Sequence, residues 1–201
     1  MTPPAFSIIG GFFVRALFWL APALTLWYLA REWVVVPVAW LSETVMRHTF
    51  PLWVTGSELE GNVQLLLTSI RVVQGGQVGE LTPEVRILSY CYGLPLFVAL
   101  LLAARARGLW WKLPLGAIVL LPFQTWGVCF GWLVDIAIHM RDLTLATTRF
   151  SDFETNLIGI GYQLGYLLLP VLAPLLLWLH LERRFITLIA VDGAMEQLRQ
   201  R

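Results

Sequence analysis

The sequence predicts an all-α integral membrane protein, a four-span helical bundle with a small extracytoplasmic β-hairpin and an amphipathic surface helix. Three observations carry this prediction. Apolar segments lie at residues 8–30, 87–104, 113–137 and 157–180. A hydrocarbon core about 30 Å thick is crossed by roughly 20 helical residues; segment 87–104 is at the short edge of that length but carries no charge. Hydrophobic residues make up 58% of the chain and charged residues 13%, against about 45–50% and about 25% in soluble domains. The net charge of +1 hides a sorting of charge between the two sides.

With the N-terminus cytoplasmic, the inner side holds eight basic and three acidic residues, and the outer side six basic and ten acidic. Arg105, Arg107 and Lys112 sit in a short loop and Arg183-Arg184 follow the fourth segment. Basic excess close to span ends marks the cytoplasmic side. The expected organisation is a single membrane domain over residues 1–201, with an extracytoplasmic insert at 31–86 and a cytoplasmic tail at 181–201.

The first segment is longer than the apolar core of a signal peptide, about 7–15 residues, and is read as a retained span kinked at Pro22. Residues 34–48 place Val38, Leu41 and Val45 at helical spacing among Glu43 and Arg47, which suits a helix lying on the membrane surface. Residues 64–73 are rich in strand formers, Gln74-Gly75-Gly76-Gln77 is a turn signal, and 78–87 is the returning strand, limited to a sheet edge by Pro83. The third span contains Pro114, Pro122, Gln124, Gly127 and Gly131 and reaches Asp135. Residues 138–156 read as a polar outer loop, and the fourth span carries Pro170 and Pro174. The last 20 residues read as an amphipathic helix with Phe185, Leu188, Ile189, Met195 and Leu198 on one side. Seven of the ten tryptophans, Trp27, Trp33, Trp53, Trp110, Trp111, Trp132 and Trp178, fall near predicted span ends, where an indole serves both apolar chain and water.

Gly161-x-x-x-Gly165 in the fourth span lets two helix backbones approach closely. Its partner is either another helix of this chain or a helix of a second protein. Gln124 and Gln163 are intramembrane amides expected to face the bundle, since lipid offers no hydrogen bonds, and Asp135 lies near the outer end of the third span. Cys91, His139 and Arg141 all fall near the outer face. A thiol, an imidazole and a guanidinium gathered there would be candidates for transpeptidase chemistry: nucleophile, proton carrier and oxyanion partner. The alternative is a packed cysteine and a solvated loop histidine. His48, His139 and His180 show no metal-ligand spacing, so no metal or cofactor is expected, and no basic-aromatic patch points to nucleic acid.

Several stretches together resemble one family. They are Phe-Phe-Val-Arg-x-Leu-Phe-Trp near the start, Gly-Gln-Val-Gly-Glu in the hairpin, Tyr92-Gly-Leu-Pro-Leu-Phe97, Leu121-Pro-Phe-Gln-Thr-Trp-Gly-Val-Cys-Phe130, Gly161-Tyr-Gln-Leu-Gly-x-Leu-Leu-Leu-Pro170, Ala173-Pro174 and Glu182-Arg-Arg-Phe185. Their order is similar to that of the exosortase H-associated membrane proteins of Gram-negative bacteria. Exosortases are membrane transpeptidase-like enzymes acting on proteins tagged with a short motif, an apolar helix and a basic tail. In this chain Cys91 is followed by Tyr-Gly rather than the Ser-Gly of an exosortase, and the third and fourth spans lack the arginine and histidine patterns. The resemblance therefore implies a non-enzymatic accessory or a non-catalytic relative in the bacterial inner membrane, and the sorting of charge puts both termini on the cytoplasmic side. Its partners would be membrane lipid, an exosortase and the tagged substrates it holds or presents. The rival readings are a divergent cysteine transpeptidase using Cys91 and a small lipid- or solute-handling membrane protein.

Overall fold

The computed structural model describes residues 5–74, 77–183 and 187. The chain is mostly helical, with two small antiparallel sheets. Its helices are α1 (Ala5–Leu29), α2 (Arg31–Thr49), α3 (Leu88–Cys91), α4 (Gly93–Ala103), α5 (Leu109–Val134), α6 (Arg141–Thr148), α7 (Asp152–Gln163) and α8 (Leu169–Leu181). Its strands are β1 (Val54–Glu60), β2 (Val63–Thr68), β3 (Arg71–Gln74), β4 (Gln77–Glu80) and β5 (Glu84–Arg86). Two π-helical turns, Asp135–His139 and Leu164–Leu168, continue α5 and join α7 to α8.

Among the described residues three helices are long and apolar enough to cross a membrane: Gly10–Leu29, Leu109–His139 and Asp152–Leu181. The expected second span is a shorter apolar helix, Leu88–Ala103, interrupted at Tyr92. Contacts divide the chain into two compact units. One comprises residues 1–29, 93–120 and 171–201, and the other residues 30–92 and 121–170. The expected amphipathic tail helix lies almost wholly outside the described residues.

In the first unit α1 packs along α4. Phe97 and Leu101 are fully buried, and the Phe12 and Trp178 rings stack 5.2 Å apart. Gly116 makes room for the Phe97 ring, which occupies the space a Cβ would need. Arg15 Nε donates to the Ala103 carbonyl at 3.1 Å, and Lys112 pairs with Glu182 almost out of contact with water. The guanidinium and the ammonium each find an acceptor in apolar surroundings, which lowers the cost of their burial.

The second unit is organised around α2 and the sheet β1-β2-β5. Gly61, at φ 63°, allows the tight β1–β2 turn. Pro83 does precede an edge strand, β5, but residues 64–73 form two strands rather than one, because the chain leaves β2 at Thr68 and starts β3 at Arg71. β3 and β4 form the separate two-stranded pair. α2 buries Val35, Val38, Ala39, Ser42 and Met46, a face that shares only Val38 with the stripe read from its sequence. Gln64 decides this. Fully buried, it accepts from Ser42 Oγ at 3.1 Å and donates to the Ala39 carbonyl and Ser57 Oγ at 3.0 and 2.8 Å. A buried amide left unpaired costs about 1–3 kcal/mol, so the helix turns its small polar side toward Gln64.

Residues 138–156 are largely helical rather than loop. Ser151 caps α7: its side chain accepts from Glu154 N, and the Glu154 carboxylate accepts from the Ser151 backbone N–H. This capping box starts the helix five residues before the apolar run at 157. Trp132, expected near the head groups, is fully buried and donates to the Gln64 carbonyl at 3.3 Å, while Trp33 and Trp110 are exposed.

Candidate functional site

Within the second unit, α5 and α7 meet through glycines. A Cβ on Gly165 would lie 2.9 Å from Gly127 Cα, and one on Gly161 would lie 2.1 Å from Phe130 Cε1. Trp126 Nε1 donates to the Gly161 carbonyl at 2.9 Å. The Gly161-x-x-x-Gly165 face is therefore covered by this chain's own helix, which follows from the absence of side-chain bulk at both positions.

Two cavities border the α5–α7 pair. The larger is an apolar groove of about 790 Å³ among α2, α5 and α7, whose walls include Leu41, Met46, Trp126, Phe130, Leu157 and Ile160. Among the described residues Glu154 is its one charged lining residue. The smaller is a polar cleft of about 180 Å³ lined by residues of β5 and α3 and of both π-turns, among them Arg86, Ser89, Asp135, His139 and Tyr166. A π-turn carries one extra residue per turn and often marks a functional position. Here the two turns bring Asp135, His139 and Tyr166 to one opening.

The candidate trio is dispersed. Cys91 is fully buried and does not line the cleft that contains His139. His139 Nδ1 lies 2.8 Å from Asp135 Oδ1, and Arg141 Nη2 donates to Asp152 Oδ1 at 2.5 Å. Imidazole and guanidinium are each committed to a carboxylate, and the thiol is closed off from the surface. Gln124 is buried. Gln163 is not: it is exposed on the helix surface, because the turn that buries Gly161 and Gly165 against α5 directs it outward. Among the described residues no group of three or more His, Cys, Asp or Glu side chains converges.

The model of one protein family, described as exosortase H-associated membrane protein, matches residues 7–185. The chain belongs to that family. No curated protein and no solved structure matches it. The stretch shared with the exosortase H-associated proteins includes both cavities. Sequence reasoning found Asp135 and His139 singly but missed their pairing and the cleft. The signal was present as two i, i+4 spacings, Asp135 to His139 and Tyr162 to Tyr166, which put each pair on one helix face.

Proposed function

We propose that this family member is a non-enzymatic accessory of an exosortase-type protein-sorting system in the bacterial inner membrane. In this reading Leu88–Ala103 is a fourth, shorter span, insert 31–86 is extracytoplasmic and both termini are cytoplasmic. The outer edge of Asp152–Leu181 holds an apolar helix of the system, that of the exosortase or of a tagged substrate being presented to it.

The observation that carries the reading is Gln163. It is exposed on a helix of membrane-crossing length, between Ile160 and Leu167, which are 55% and 60% exposed. Facing lipid, its amide would lose hydrogen bonds at several kcal/mol per group. A neighbouring transmembrane helix with a polar side chain or an open carbonyl removes that cost. The groove beside Ile160 provides the apolar bed for the same helix. Gly161 and Gly165 act by setting the α5–α7 spacing that shapes this bed, rather than by touching the partner.

A photo-crosslinking residue at Leu167 or Ile160 tests the assignment. The expected product in native membranes is an adduct with an exosortase or with a tagged precursor, lost when Gln163→Leu is added. Adducts with lipid alone, at normal expression, would overturn it. The cysteine-transpeptidase alternative is disfavoured by the burial of Cys91 and by the separate carboxylate partners of His139 and Arg141.

A further inference from the structure

The polar cleft has no part in holding an apolar helix, and its chemistry points to a different ligand. Its ionisable groups are two carboxylates, a guanidinium and an imidazole. Glu84 and Arg86 are two residues apart on β5, on either side of the buried Val85, so they project from the same strand face. Both are exposed, and among the described residues neither takes part in an ion pair. Asp135 and His139 supply the second pair, joined at 2.8 Å. Three phenols complete the lining: Tyr162 and Tyr166 stack 5.7 Å apart, and Tyr90 meets Tyr166 edge-on at 5.8 Å.

A simple anion entering this cleft would meet two carboxylates, and a simple cation would meet a guanidinium and an imidazole. A ligand carrying both charges a few atoms apart meets complementary groups for each. The forked guanidinium of Arg86, with the His139 ring, suits phosphate oxygens. The carboxylates of Glu84 and Asp135, with the tyrosine faces, suit an ammonium.

We propose that the cleft binds a phosphate–ammonium zwitterion, the chemistry shared by a phosphatidylethanolamine head group and free O-phosphoethanolamine. This does not rest on any association with an exosortase.

The test uses the full chain, delipidated in a neutral detergent and studied by native mass spectrometry. It is titrated separately with short-chain phosphatidylethanolamine, phosphatidylglycerol and soluble O-phosphoethanolamine. The expected result is at least about tenfold tighter binding of phosphatidylethanolamine than of phosphatidylglycerol. Arg86→Gln and Glu84→Gln, both at exposed positions, should each erase that preference without shifting the thermal unfolding of the lipid-free protein. Equal binding of the two lipids, or a preference unchanged in both variants, would overturn the proposal. Soluble O-phosphoethanolamine binding as tightly as the lipid would assign the site to a free zwitterion, and binding of the lipid alone would assign it to the head group; no binding of either would overturn the proposal.

Discussion

Lys112 on α5 and Glu182 just after α8 form an ion pair across 70 residues of sequence, with side chains 8% and 12% exposed. Such a pair gives little net stability over an apolar replacement, yet removing one partner strands a buried charge at about 3–5 kcal/mol. Glu182→Ala should therefore lower the unfolding temperature of the detergent-purified protein sharply. The double variant Lys112→Met with Glu182→Leu should recover most of that loss. Equal damage from the double and single variants would show that the pair itself, rather than the orphaned charge, is needed.

Gly165→Leu is expected to destabilise the fold by about 1–3 kcal/mol or more, since overpacking forces backbone shifts and Gly127 Cα already lies at 2.9 Å from the Cβ position. A loss of partner recovery in this variant would reflect misfolding. Ile160→Trp, at a position open to the surroundings, should reduce recovery while leaving thermal unfolding unchanged. The comparison of the two melting curves separates packing from association.

Gln64→Leu removes hydrogen bonds to Ser42, Ser57 and the Ala39 carbonyl. The expected cost is about 1–3 kcal/mol for each group left unpaired in the interior, read as faster amide exchange in α2, β1 and β2. Exchange unchanged in α2 would contradict the role given to Gln64 in orienting that helix.

Cys91 and Cys129 are both buried and free. Neither should react with a membrane-permeant maleimide until the protein is denatured, when both should react. Rapid labelling of Cys91 in the folded protein would revive the nucleophile reading. Retained tag processing with Cys91→Ala would remove it.

The long helices were legible because an apolar run of membrane length has few other uses. Their ends were less so. The start of α7 was written in Ser151-x-x-Glu154, a capping signal five residues outside the apolar run, and hydropathy alone hid it within a loop. β1 was missed because Gly56 and Glu58 carry little strand propensity. The strand forms because β2 offers a partner, with a bulge between Val54 and Gly56. Gln163 was read as facing inward on the general rule for amides in lipid, whereas the glycines beside it take the inward face. Proximity of Cys91, His139 and Arg141 could not be read from order along the chain, and the partners of the last two, Asp135 and Asp152, come from the local geometry of a π-turn and a helix start.

The most direct test of the accessory role is affinity purification of the intact protein from native membranes in mild detergent, with the stoichiometric partners identified by mass spectrometry. The account predicts an exosortase or a tagged precursor at near-equal amount, diminished in Gln163→Leu. Recovery of the protein alone, or the same partners at undiminished amount in Gln163→Leu, would contradict it.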